Sequence, residues 1–195
     1  MGEDEACLQE VEPPKECHQC FPTVRFQDSH WDLRHLDSFA FRSDIGFEAT
    51  VIVLFSCHCF SRSLGADTRS QELIPPEEIY RDNREIRVLD PLRYWLSRRY
   101  LRQMVLHLPK QHIVCAGGRN RNFMTWRVRS EEGLDSIYAA FFSVERDRRR
   151  KARLIMRLQS AYPLDDGLSA SQRNGRKVRL HTLLKAAYEG RTIKA

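Results

Sequence analysis

The sequence predicts an α+β fold, an antiparallel β-sheet of four to six strands with helices packed on one face. Three observations predict it. From residue 98 onward the elements read helix, strand, strand, strand, strand, helix, and strands joined by short connections pair antiparallel. Residues 137–144 are apolar on both parities, the mark of a strand covered on both faces. Residues 153–159 alternate instead, with Leu154, Met156 and Leu158 on one face and Arg153, Ile155, Arg157 and Gln159 on the other, as a strand with one core face does. The two form a hairpin over 137–162, closed by the charged turn RDRRRK and expected at the centre of the fold.

The remaining elements follow in chain order. Residues 1–23 are acidic, contain Pro13, Pro14 and Pro22, and read as a poorly ordered lead-in to a single domain over 24–195. A strand is possible over 36–41. Asp44-Ile45-Gly46 then turns the chain into 47–60, whose β-branched and aromatic residues predict a second buried strand. Residues 73–82 suit a short helix opening at Pro75-Pro76, and 84–90 a brief strand. A helix is expected over 98–108, with Leu101, Met104, Val105 and Leu108 on one face and Pro109 ending it. Its start is ambiguous between Asp90-Pro91 and Ser97, each a good capping arrangement. Strands are expected at 112–118 and 123–129, and a terminal helix at 178–190 with Gly190 as its cap.

Charge is divided unevenly. Residues 1–90 hold 9 Lys+Arg against 18 Asp+Glu, and residues 91–195 hold 23 against 8, so a balance of −9 faces one of +15. The basic half points to a polyanion, with nucleic acid the commonest case; alternatively the acidic half folds back on it. Arg93, Arg98, Arg99, Arg102, Arg119, Arg121, Arg127 and Arg153 are the candidate phosphate contacts, interleaved with Tyr94, Trp95, Tyr100, Phe123 and Trp126. Cations beside stacking rings suit single strands; the plain alternative is a set of solvated surface arginines.

The N-terminus is acidic without an apolar run, and no 18-residue apolar stretch occurs. A cytoplasmic protein with reduced thiols and no membrane contact is therefore the expectation. Among the six cysteines, Cys17 and Cys20 with Cys57 and Cys59 could supply four thiolates to zinc, set against small structural thiols and no cofactor at all. No phosphate-binding glycine loop, GxSxG elbow or HExxH is present, which sets aside the chemistries those motifs carry. Metal-free RNA cleavage needs a base, an acid and cations. His35 and His58 are the candidates for proton transfer, with Arg62, Arg157, Ser160 and Tyr162 as companions; a structural histidine at a strand end is the alternative.

The run RLIMRLQSAYP (153–163) resembles the last core strand of the barnase–EndoU–colicin–RelE group of small RNase folds, in which a helix precedes a four-stranded antiparallel sheet. That resemblance implies a metal-independent endoribonuclease of toxin or prophage-effector type, with Ser160 and Tyr162 at the matching strand end. The CHCFSR run is also similar to small proteins of bacterial mobile elements. Three readings stay open: a ribonuclease, a non-catalytic binder of RNA or DNA (RNA ahead of DNA), and a thiol- or zinc-stabilised module engaging a protein partner or inhibitor.

Overall fold

The computed structural model describes residues 7–82, 85–115, 122–129 and 135–193. The chain begins with β1 (Glu10–Val11), the hairpin β2 (Val24–Phe26) and β3 (Ser29–Trp31), and the long pair β4 (Phe39–Asp44) and β5 (Glu48–Phe55). Short strands β6 (Ser61–Ser63), β7 (Ile79–Arg81) and β8 (Ile86–Leu89) follow. Helix α1 (Pro91–Leu96) runs through a π turn at Ser97–Leu101 into α2 (Arg102–Leu106). Then come β9 (Ile113–Cys115), β10 (Asn122–Arg129), β11 (Asp135–Arg146), β12 (Arg153–Pro163), α3 (Ala170–Asn174), β13 (Arg176–Val178) and α4 (Leu180–Tyr188).

The architecture is α+β, but the sheet exceeds the expected four to six strands. Eight strands pair in the order β1-β4-β5-β12-β11-β10-β9-β13, beside a three-stranded sheet β6-β8-β7. The excess has two sources. Strand β12 accepts β5 on its second edge in a parallel ladder from Arg153↔Thr50 to Leu158↔Phe55, which brings β4 and β1 with it. At the other end β13 pairs with β9 and uses Val178, a residue expected in the terminal helix.

The central hairpin forms as its pattern predicts. Leu154, Met156 and Leu158 join Phe39, Phe41, Val51, Val53 and Phe55 in one core, together with Leu96, Leu101, Met104 and Val105 of the α1–α2 helix and Leu183 and Leu184 of α4. A register shift between Phe141 and Phe142 makes Gln159 an extra residue on β12. Past such a bulge the two faces exchange. Ala161, 0% exposed, takes the core position, and Ser160 and Tyr162 turn to the side that carries Arg157. Tyr162 stacks on Phe141 at 5.2 Å. The simple alternation that puts Ser160 and Tyr162 beside Leu158 thus fails at one residue.

Three other expectations change. Residues 73–82 do not form a helix: 3-10 turns at Gln71–Leu73 and Pro76–Glu78 lead into β7. Asp90 is the N-cap of α1, accepting from Arg93 N, whereas Ser97 is buried inside the helix and its hydroxyl donates to the Tyr94 carbonyl at 2.9 Å. From residue 7 the lead-in is laid against the sheet. Strand β1 pairs with β4, Gln19 brackets the Phe55 backbone with bonds of 2.8 and 3.1 Å, and Glu16 reaches Arg153 at 3.0 Å.

Arg153 therefore differs from Arg157, although both occupy the same parity of β12. It is 8% exposed and held by Asp147 at 2.7 Å and by Glu16; Arg157 is exposed, 3.8 Å from Glu145. Urea unfolding should separate the two. Arg157→Ala should change stability by no more than about 0.5 kcal/mol, while Arg153→Ala strands Asp147 and should cost on the order of 2–3 kcal/mol. Leu158→Ala should cost roughly 2–5 kcal/mol through lost burial and a cavity.

Candidate functional site

Strand β5 ends against the centre of the sheet, and its last turn gathers reactive groups. Ser56 ties that end to β12, its N–H donating to the Leu158 carbonyl at 3.0 Å and its hydroxyl to the Gln159 carbonyl at 2.6 Å. The same hydroxyl caps a 3-10 turn at Cys57–Cys59 by accepting from His58 N. Across from it, Asp82 and Glu85 flank the connection between β7 and β8. His58 Nε2 is hydrogen-bonded to Glu85 Oε1. The Cys57 thiol lies 3.4 Å from Asp82 Oδ2 and 3.8 Å from Glu85 Oε1. Burial, and then the Asp82 carboxylate, push that thiol up to about 12, so Cys57 is a protonated thiol here and not an activated nucleophile. Cys59 is likewise raised to about 12, by burial.

His35 sits apart from this cluster. The Ser97 hydroxyl gives its proton to Tyr94, so it accepts from His35 Nε2 at 2.9 Å, and the neutral ring carries its proton on Nε2. It lines a surface pocket of about 450 Å³ with Asp32, Arg34, Asp37, Arg98 and Arg102. His35, His58 and Arg157 belong to three separate contact networks, on Ser97, Glu85 and Glu145 respectively. Arg62 is taken up by Asp67 at 2.7 Å. The set His35, His58, Arg62, Arg157, Ser160 and Tyr162 is not assembled around one point by these contacts.

Three of the eight candidate phosphate contacts, Arg93, Arg102 and Arg153, are engaged within the fold. Arg102 makes a two-pronged pair with Glu10, both bonds 2.6 Å. Arg93 donates to the His58 and Ser61 carbonyls at 3.2 and 3.0 Å and lies 4.8 Å over the Tyr162 ring. Arg153 is the buried residue described above. Arg99 rests 5.6 Å from the rings of both Trp95 and Tyr100, Arg98 donates to the Tyr94 hydroxyl at 3.4 Å, and Arg127 is exposed on β10. Arg119 and Arg121 lie outside the described residues.

The third part of the basic excess, which begins at the charged turn, stands at the end of the sheet where β12 begins. Arg146, Arg148, Arg149, Arg150 and Lys151 are exposed around the β11–β12 turn. The acid within that turn, Asp147, is drawn inward by Arg153. Beside the tip, Arg146 lies 4.2 Å over the Tyr188 ring, and Tyr188 meets Phe47 at 4.9 Å. Phe47 is 41% exposed. Sequence reasoning named the charged turn and missed its aromatic neighbours, which come from the β4–β5 turn and from α4.

The zinc arrangement of Cys17, Cys20, Cys57 and Cys59 is not formed. Among the described residues, the group of His, Cys, Asp and Glu whose ligand atoms come within 4.8 Å of one another is Cys57, His58 and Glu85. Cys17 and Cys20 stand partly or fully exposed on the lead-in, and Cys59 is buried. Glu85 was not legible as a partner of His58, because 27 residues separate them and only β7–β8 pairing brings them together.

Burial lowers His35 to about 4, with the Arg98 and Arg102 charges adding and Asp32 opposing. Its folded-state value is below the unfolded value of about 6.5. The unfolded chain therefore takes up this proton first, and stability present above about pH 6.5 drains away as pH falls towards about 4. Asp32, Arg34, Asp37, Arg98 and Arg102 face the same pocket, so the comparison is with His35→Gln, which keeps a donor for Ser97. Across that window the variant's unfolding free energy should fall less steeply, by up to about 1.4 kcal/mol per pH unit. Parallel curves would show that the ring titrates normally.

Among the described residues, no helix is long and apolar enough to cross a membrane. No solved structure matches the chain. Protein YjaZ of Escherichia coli (strain K12) is 28% identical over 132 residues, which cover 67% of this chain and 66% of that relative. The resemblance to the small RNase folds is thereby overturned. The fragment that carried it, 153–163, is not a closing strand: β12 lies inside an eight-stranded sheet, paired in parallel with β5. A small residue, an aromatic and a proline at a strand end are compatible with many sheets. The family model that does match extends over residues 23–188, from β2 to the end of α4, and the chain belongs to the YjaZ family.

Proposed function

We propose that this protein binds single-stranded nucleic acid, RNA in the first instance, at the end of the sheet formed by the β11–β12 turn. The observation that carries the reading is the joint exposure of Arg146, Arg148, Arg149, Arg150 and Lys151 beside the exposed Phe47 ring. Guanidinium groups suit phosphate oxygens, and an adjacent ring offers a base a surface to stack on. The turn keeps its positive charge because its own carboxylate, Asp147, is engaged by Arg153. Glu16 approaches Arg150 at 3.6 Å, but it already serves Arg153. Binding, and not cleavage, is the activity proposed, since His35 and His58 lie in different networks and neither contacts the tip residues in the hydrogen bonds described above.

Fluorescence anisotropy with a labelled oligoribonucleotide tests this. Neutralising several phosphates should make affinity fall about a hundredfold or more between roughly 50 and 200 mM salt. A combined Arg148→Ala, Arg149→Ala, Arg150→Ala variant should flatten that slope, and Phe47→Ala should weaken binding by about 1–3 kcal/mol with the slope retained. Affinity indifferent to salt and to the tip variant would overturn the proposal. Equal loss in Arg98→Ala, Arg99→Ala with none at the tip would move the site to the α1–α2 helix.

A further inference from the structure

The geometry points to a second site, independent of the first: a site for a divalent transition ion of the zinc class, held by Cys57, His58 and Glu85, with Asp82 beside the thiol. Its donors come from two places in the fold, the turn after β5 and the residues next to β7 and β8. Cys57 Sγ, His58 Nε2 and Glu85 Oε1 already lie within 4.8 Å of one another. For a tetrahedral ion with a sulfur bond of about 2.3 Å and an oxygen bond of about 2.1 Å, neighbouring donors stand roughly 3.6 Å apart. Cys57 Sγ is 3.4 Å from Asp82 Oδ2 and 3.8 Å from Glu85 Oε1, on either side of that value.

The outer contacts orient the donors as ligands require. Arg87 Nη1 holds Glu85 Oε2 at 2.9 Å, and this leaves Oε1 turned to His58 and Cys57. Glu85 N donates to Asp82 Oδ1 at 2.9 Å, and this leaves Oδ2 turned to the thiol. Arg87 is itself fixed, buried, by the Ser61 hydroxyl at 2.8 Å and the Ser61 carbonyl at 3.2 Å. Partners of this kind fix carboxylate direction around bound metals. Charge agrees as well. A thiolate and the Glu85 carboxylate are anionic donors suited to a dication. Sulfur and imidazole donors select zinc or cobalt over magnesium or calcium.

Binding releases the Cys57 thiol proton to solvent and puts the ion where thiol and imidazole now hydrogen-bond the carboxylates. The donors come from two separate segments of the chain, so the ion acts as a clamp between them. It would pin the three-stranded sheet β6-β8-β7 to the end of β5.

Chelator-treated, dialysed full-length protein titrated with Co²⁺ tests the site. The expected result is one equivalent bound, with the near-ultraviolet thiolate-to-cobalt charge-transfer absorption, displaced by Zn²⁺ and accompanied by a rise in melting temperature. Cys57→Ser should abolish the absorption and the melting shift. Arg87→Ala, which touches no metal, should weaken binding by about 10–100-fold. The double variant Cys17→Ser, Cys20→Ser should bind as the parent does. If Cys57→Ser does not fold, His58→Ala read by the same absorption takes its place. Absence of the absorption in the parent protein, its survival without Cys57 or, where that variant does not fold, without His58, or its loss with Cys17 and Cys20 would overturn the inference.

Discussion

The parallel ladder between β5 and β12 is the constraint on which the rest of the structure depends. Residues 7–55 contribute β1, β4 and β5 to one side of the large sheet, and β9 to β13 form the other side. The ladder that joins the two runs over six residue pairs, Arg153↔Thr50 to Leu158↔Phe55. A parallel pair needs a long crossover, and here the crossover holds the three-stranded sheet, the α1–α2 helix and β9 to β11. The ladder also decides which side chains are central. Leu154, Met156 and Leu158 are flanked by strands on both edges, so their alternation becomes the spine of the core.

The same junction explains the charge distribution. An acidic half and a basic half joined along one ladder bring carboxylates to arginines at its margins. Glu16 meets Arg153 and Arg150, and Glu10 meets Arg102. Part of the basic excess is therefore paired within the molecule, and at the buried Arg153 pairing offsets the cost of burial. What stays uncompensated is set by geometry and not by composition. A hairpin turn at the sheet's end cannot be reached by more than a few acids, and one of those, Asp147, faces inward.

The turn after β5 shows the complementary effect. Ser56 fixes it to β12, and Asp82 and Glu85, next to β7 and β8, meet it from the other side. Strand ends in the middle of a sheet are held from several sides, so polar groups placed there keep defined separations. This rigidity gives the Cys57, His58, Asp82 and Glu85 constellation its geometry, and it is why a histidine and a thiol adjacent in sequence have acquired carboxylate partners from 25 to 28 residues away.

By itself, the sequence determined the elements that rest on local periodicity. The doubly apolar β11, the alternating first part of β12, the buried β5 and the apolar face of Leu101, Met104 and Val105 all follow from the spacing of side chains along one segment, whereas the choice of Asp90 over Ser97 as the helix cap does not. Local pattern could not reveal the partner on the second edge of β12, because parallel pairing leaves no turn signature. Nor could it reveal the bulge at Gln159, which is a property of two strands together and reverses the faces of Ser160 and Tyr162. The division of arginines was also beyond it. Arg153 and Arg157 look equivalent in sequence, and only the approach of Glu16 and Asp147 makes one a buried ion pair and leaves the other exposed. Burial and ion pairing depend on which distant segment arrives, and that was decided by tertiary structure alone.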